Sequence, residues 1–336
     1  MLPGYNLDIP MIHGTEFFGT EEETNNRILE LKKHKFILFN YCSEHWGPHN
    51  GLELMYDKFE QHGLNFILLS HNINDHLTKP NLLFYPYWYY QTITFLPQLY
   101  KKNISDIEKK FKISCLNGNH RFHRIYNFFK LKEKHYFDEI LFTINYYACG
   151  MPQRHDDYHL NKEILNYWNE FKHKANDFTQ NRLTRQGATL KLYNVAQSVA
   201  NLIANSANQD SYVDLVTETT VIPKVFVTEK TWKPIASGQL FLIIGNPGII
   251  QHLRDCGVDT FDDIINHDYY DLELDWEQRI LKVHKILEAL LDKDLYQLNT
   301  LTQDRRLRNA EKFYAGEFGS KYTTCLQNKI NELSIR

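Results

Sequence analysis

The chain has 336 residues, 43% hydrophobic and 14% aromatic, enough for two domains of ordinary size and incompatible with a disordered chain. Its 38 basic and 41 acidic residues leave a net charge of −3, so no bulk positive charge points to nucleic acid or an anionic membrane. Cys42, Cys115, Cys149, Cys256 and Cys325 are scattered and form no CxxC pair, which argues for reduced thiols in a cytoplasm rather than a disulfide frame or structural zinc.

The opening MLPGYNLDIPMIHG lacks a basic n-region and a long apolar core, so no signal peptide is predicted. No apolar run approaches the ~20 residues of a membrane span, and the chain is expected to be soluble and cytoplasmic. Its richness in Asn, Lys, Ile, Phe and Tyr hints at an AT-rich microbial or viral genome.

Residues 1–33 read as polar, with a helix over Asn26–Lys33. Lys35–Tyr41 is the first strand, apolar and bounded by polar residues, and it runs into the loop Cys42–Gly47. A helix follows over Gly51–His62, then a strand over Asn65–Ser70 that ends in His71-Asn72-Ile73-Asn74-Asp75. Asn81–Tyr85 starts a third strand, followed by the aromatic run Tyr87–Tyr90. Such a run can stack on a sugar or a flipped base, but is read first as core. The β-α-β-β order predicts a small Rossmann-like domain over 1–108. No GxGxxG follows its first strand and GxxxxGK[ST] is absent from the chain, which weighs against a dehydrogenase or a P-loop NTPase.

Lys101–Lys112 is the candidate linker, and a second domain is expected over 109–300. It opens with a strand over Phe111–Leu116, a loop over Asn117–Arg121 and a basic helix over Phe122–Lys132. Phe137–Ile144 is the next strand, 149–210 is largely helical, and Tyr212–Val216 returns to the sheet. His155 and His159 have helical ligand spacing but no third ligand, so a polar loop is preferred to a metal. Asp292-Lys293-Asp294 follows a helix rather than a strand and reads as a solvated turn; no metal site is expected. The residues 301–336 form a helical tail.

The informative stretch is Asp214–Gly248, DLVTETTVIPKVFVTEKTWKPIASGQLFLIIGNPG. A strand ends at Glu218, and Thr228 is a plausible N-cap for a helix that leaves at Gly238. Glu229 suits the positive end of that helix dipole, while Pro234 lies several residues in and predicts a bend or a late start. Gln239–Gly245 is a buried strand, and Asn246-Pro247-Gly248 a turn into another helix. This is the unit of a parallel α/β sheet, which delivers loops and helix starts to the carboxyl edge where ligands bind. An acid there can accept bonds from ribose hydroxyls, and a lysine with free helix amides can neutralise phosphates.

The stretch resembles the donor-binding signature of the family-10 fucosyltransferases, glycosyltransferases of the GT-B class. Glu218 matches the acid that closes their first strand, and Val227, Thr228, Glu229 and Lys230 match their Tyr-Val-Thr-Glu-Lys block. Phe226 stands in place of the tyrosine, Thr219 and Thr220 in place of Asn-Ser, and the intervening loop is one residue longer. The block Thr228–Pro234, TEKTWKP, is also similar to sequences among phage and giant-virus glycosyltransferases. The resemblance implies an α/β, GT-B-like fold: two Rossmann-like domains facing a cleft, with C-terminal helices, of which such tails commonly cross back onto the first domain.

It further implies a glycosyltransferase that moves a sugar from a nucleotide-diphosphate sugar to an acceptor hydroxyl, inverting and without an essential metal or other cofactor. By the same resemblance the donor is held by Arg121, with Arg124 as second choice, and by Glu218, Phe226, Thr228, Glu229 and Lys230. Guanidinium, ammonium and helix amides would stabilise the leaving diphosphate by preorganised electrostatics. Inversion implies a base on the first domain; Glu44, in the loop after the first strand, is the leading candidate, with Asp75, His71 and His45 as alternatives. The acceptor is a glycan or a modified nucleobase. Two rivals share these residues: a phage-type enzyme acting on hydroxymethylated pyrimidines in DNA, and a non-catalytic nucleotide-sugar- or glycan-binding protein.

Overall fold

The computed structural model describes residues 11–13, 21–34, 36–40, 51–70, 79–95, 108–119, 121–134, 139–145, 162–170, 210–221 and 224–335. The chain divides into two compact units: Met1–Tyr90 with Lys224–Phe226 and Phe318–Arg336, and Gln91–Pro223 with Val227–Glu317.

In the first unit, β1 (Met11–His13), β2 (Ile37–Asn40), β3 (Phe66–Ser70) and β4 (Leu82–Phe84) form a parallel sheet in that order. Every residue of β2 and β3 is buried, as in parallel strands covered on both faces, which is why they read as unbroken apolar runs. Strand alternation sorts those residues between two layers. Ile37, Phe39, Phe66 and Leu68 pack with Ile28 of α1 (Glu21–Leu31) and with Met55, Tyr56 and Phe59 of α2 (Gly51–Gln61). Leu38, Ile67 and Leu69 pack on the other side with Leu326, Ile330 and Leu333 of the C-terminal helix, Ser320–Ile335.

The aromatic run lies in α3 (Tyr87–Phe95) and is core: Tyr89 is fully buried, and the Tyr90 hydroxyl bonds to that of Thr323. Gly319 permits this contact, since a Cβ there would lie 2.5 Å from Tyr90 Oη and 2.8 Å from Tyr89 Cε1. β1 was not legible in the sequence, because a three-residue strand shows no period and its pairing with β2 is wholly non-local.

In the second unit, β5 (Phe111–Asn119), β6 (Ile140–Asn145), β7 (Ser211–Thr217) and β8 (Leu240–Ile244) are all parallel, in the order β6-β5-β7-β8. The chain leaves β5 for β6 on one side and returns as β7 on the other. Strand order therefore reverses between β5 and β7, the place where ligands of open α/β sheets bind. The helices are α4 (Phe122–Glu133), α5 (162–170), α6 (Glu229–Ala236), α7 (Ile249–Asp255), α8 (Trp276–Leu291), α9 (Leu295–Leu301), α10 (Gln303–Tyr314) and α11, the C-terminal Ser320–Ile335 of the first unit.

The units part at Tyr90, earlier than the boundary at 108 expected from the linker. The tail also divides. α9 and α10 stay with the second unit, where Phe313 of α10 packs near Trp232 of α6 and Arg306 donates to the Gly238 carbonyl at 2.6 Å. α11 carries the leucines and isoleucine that cover the first sheet. Pro234 does not delay α6, which runs from Glu229 with the proline inside it. Among the described residues, no helix is long and apolar enough to cross a membrane.

Candidate functional site

The switch point is closed by side chains from both of its strands. Thr217 at the end of β7 donates its hydroxyl hydrogen to Asn117 Oδ1 near the end of β5. The chain then leaves the sheet at Glu218, whose amide bonds to Ile244 O at 2.8 Å and so extends the β7–β8 pairing by one step.

Glu218 is completely buried, and its carboxylate takes four hydrogen bonds. Oε1 accepts from Thr228 N at 3.0 Å and from Thr231 Oγ1 at 2.6 Å. Oε2 accepts from Thr219 N at 3.1 Å and from Thr228 Oγ1 at 2.6 Å. These bonds pin the start of α6 to the end of β7. Gly245 makes room for the arrangement: a Cβ there would stand 3.3 Å from Glu218 Cγ and 3.2 Å from methyl groups of Ile243 and Ile249. Behind the strand end, His123 Nε2 donates to the Glu218 carbonyl at 2.9 Å. Arg124 donates to the carbonyls of Thr217 and Glu218 at 3.1 and 3.0 Å.

Thr228 is the N-cap of α6 in extended conformation, its hydroxyl oxygen accepting from Lys230 N at 3.3 Å. Glu229 and Lys230 follow in the first turn. Lys230 Nζ donates to Glu229 Oε1 at 2.7 Å, to Thr219 Oγ1 at 3.1 Å and to Thr228 Oγ1 at 3.4 Å. Glu229 Oε2 is buried and has no hydrogen-bond partner among the described residues. Burial alone would raise the Glu229 pKa, but the ammonium groups of Lys230 and Lys233 outweigh it and hold the carboxyl at about 2. Arg121 is the N-cap residue of α4, buried and extended, and its side chain does not cap the helix.

The structure thus brings Arg124, Glu218, Thr228, Glu229 and Lys230 into one bonded cluster beside the start of α4, with Arg121 at that start. No family model matches the chain, and no curated protein matches it. Among solved structures, it is similar to the crystal structure of the DNA-modifying enzyme β-glucosyltransferase, determined with and without its substrate uridine diphosphoglucose. The identity is 13% over 96% of this chain and 82% of that one, with a TM-score of 0.44.

Within the cluster, two of the expected ligand residues are already engaged by the protein. Both oxygens of Glu218 are taken by neighbouring donors, and one Arg124 nitrogen holds two carbonyls. Glu229 Oε2 has no hydrogen-bond partner among the described residues, and Lys230 Nζ is held by two hydroxyls besides Glu229. Phe226 is buried and groups with the first unit. Glu44, His45, His71 and Asp75 lie outside the described residues, as do His155 and His159.

Lys233 was not singled out in the sequence. It is buried in α6, one turn beyond Glu229; burial pushes its pKa down, and Glu229, Asp214 and Glu218 work against that. The signal that could have found it is its spacing from Glu229, which places both on one helix face.

The other helix start on this edge is not open to an anion. Asp271 caps α7 with its own carboxylate, accepting from Ile250 N at 2.9 Å and Gln251 N at 3.2 Å. Asp292 and Asp294 are the C-cap of α8 and the N-cap of α9, so that acidic pair is a helix–helix turn. No group of three His, Cys, Asp or Glu side chains placed to hold a metal occurs among the described residues.

Proposed function

We propose that this protein is a glycosyltransferase of GT-B type whose second unit binds a nucleotide-diphosphate sugar at the β5–β7 switch point. The observation that carries the proposal is the convergence there of the residues of the Thr-Glu-Lys block with the start of α4. In this reading Lys230, Arg121 and the first amides of α4 neutralise the diphosphate, which a helix start and a guanidinium are suited to do. Glu229 Oε2, buried, ionised and without a donor of its own, accepts from a ribose hydroxyl of the donor. Glu218, Thr228 and Arg124 act one step back, holding the strand end and the helix start in register.

The sugar passes to an acceptor hydroxyl with inversion, and the base comes from the first unit: Glu44 first, then Asp75 or His71. With cationic side chains at the diphosphate, turnover needs no divalent metal. The acceptor is a glycan or a hydroxymethylated nucleobase, and the enzyme acts in the cytoplasm of its cell or host.

Thermal shift with UDP-, GDP-, CMP- and dTDP-sugars tests the donor site. A ligand held only by the folded state stabilises it by about 2.7 kcal/mol at a hundredfold excess over its Kd. One nucleotide class is expected to raise the melting temperature, and Glu229→Ala and Lys230→Ala each to abolish that rise in a folded protein. Wild-type donor affinity in both variants by calorimetry would remove the assignment. Retained binding without transfer to any hydroxyl acceptor would leave a binding protein instead of an enzyme.

A further inference from the structure

Glu229 and Lys233 stand on one face of α6, the acid nearer the helix N-terminus, the favourable order for an i,i+4 pair. Each is only 7% exposed. Lys230 is the less natural partner for Glu229, because adjacent residues on a helix do not face one another. It reaches the acid nonetheless, and its three contacts with Glu229, Thr219 and Thr228 match the three donors of an ammonium. Glu229 Oε2 is buried and lacks a hydrogen-bond partner among the described residues. A buried carboxylate oxygen without a partner is costly, and Lys233 is the next cation on that face, one turn along the helix.

We propose that Lys233 is the reserve counterion of Glu229. When an anion draws the Lys230 ammonium away, Lys233 keeps Glu229 ionised and in place, as a positioning residue that need not touch the ligand. The identity of the anion as a diphosphate rests on the reading above, whereas the pairing of the two side chains does not. Lys230 then serves two states: bonded to Glu229, Thr219 and Thr228 in one, and turned to the anion in the other.

Among the described residues, the cations that act on Glu229 are Lys230 and Lys233. β8 brings no titratable side chain to this face, its sequence being Leu-Phe-Leu-Ile-Ile. β7 and its end bring Asp214 and Glu218, both acids, which favour the charged form of Lys233 and cannot compensate Glu229. From α10, Arg306 is spent on the carbonyls of Gly238 and Asn299. Arg124 is spent on those of Thr217 and Glu218.

The test needs no ligand. The Glu229 carboxyl would be titrated by carbon-detected NMR in the full-length protein and in Lys230→Met, Lys233→Met and the double variant, with Glu229→Gln for assignment. Lys230→Met alone mimics the withdrawn ammonium. Glu229 is expected to stay ionised below its ordinary value of 4.5 in that variant, and to rise above it when both lysines are gone. Lys230→Met with Lys233→Arg should titrate like Lys230→Met, since the charge is restored.

If Lys230→Met already lifts Glu229 to or above the ordinary value, Lys233 is not a reserve and the proposal fails. That outcome can be read even if Lys233→Met does not fold. Matching titrations in Lys230→Met and the double variant would overturn it too. A second measurement uses inorganic pyrophosphate in calorimetry. Lys233→Met should bind about tenfold more weakly at neutral pH, the deficit shrinking as the pH falls, because Glu229 must then take up a proton when Lys230 leaves it. Wild type that binds no pyrophosphate, with the titrations as expected, would sink the diphosphate reading and leave the lysine pairing standing.

Discussion

Replacing Glu218 by glutamine separates a structural tie from a ligand contact. The carboxylate takes two backbone amides, Thr228 N on one oxygen and Thr219 N on the other. A glutamine must place its NH2 against one of them whichever way the amide is turned, and a backbone N–H cannot reverse. One hydrogen bond to a charged acceptor is lost, worth about 1.5–3 kcal/mol, and its donor is left buried and unpaired. The two threonine hydroxyls can rotate, so they soften the loss without cancelling it. The sum is about 3 kcal/mol or more, and at about 2–4 °C per kcal/mol for a domain of this size the melting point falls by roughly 6–12 °C. Scanning calorimetry reads it, with Thr231→Val, which removes one donor and keeps the charge, as a milder companion. A Glu218→Gln protein that melts within about 2 °C of wild type would refute the tie. If that variant had also lost donor affinity, Glu218 would return to the list of direct ligands.

Acid should destabilise the second unit before its carboxylates titrate. His267, whose Nε2 donates to Thr260 O and whose Nδ1 accepts from Tyr270, is held neutral by burial, its pKa pushed down from 6.5 to about 4. His284, whose Nε2 donates to Asn127 Oδ1, is pushed down to about 3, by burial first and then by Lys134 and Lys130. The unfolded chain takes up these protons from about pH 6.5 downward while the folded one resists, so stability is full above that value and declines as the pH falls toward the folded values, by roughly 3 kcal/mol for His267 and roughly 5 for His284. Urea midpoints between pH 7 and 4.5 would show it, and an unchanged midpoint across that window would contradict the burial argument. In the first unit, Gly319→Ala would force a methyl against Tyr90 Oη and Tyr89 Cε1, and overpacking of this kind costs about 1–3 kcal/mol. Faster proteolysis at the C-terminal helix is expected, and wild-type resistance would mean that the rings yield.

What the sequence disclosed was what depends on short-range pattern. β2, β3, β7 and β8 are buried on both faces, and continuous apolar runs identify such strands without knowledge of their neighbours. Thr228 as N-cap was legible because capping involves only the first turn. What stayed hidden was decided by distant partners. β1 exists because β2 offers it an edge, and the tail divides at Phe318 because α10 fits α6 while α11 fits the first sheet. The inward turn of Arg124 belongs to the same class. From the sequence a guanidinium at a helix start is a candidate phosphate ligand; only the position of β7 shows that it faces carbonyls instead.

The two acids of the motif make the distinction that a sequence match cannot. Glu218 is held by four neutral donors, two of them backbone amides, and none can leave without exposing a buried group. Glu229 is held by charge: one contact to Lys230, a second lysine on the same face, and one oxygen with no donor among the described residues. Hydrogen bonds from a fixed backbone specify position, whereas the Glu229–Lys230 ion pair joins two side chains and leaves the second carboxylate oxygen without a donor. The proposed donor site would use one acid of each kind. The first keeps strand, loop and helix in place through the cycle. On the proposed reading the second stays charged while the cation beside it changes partner, with Lys233 one turn further along the helix.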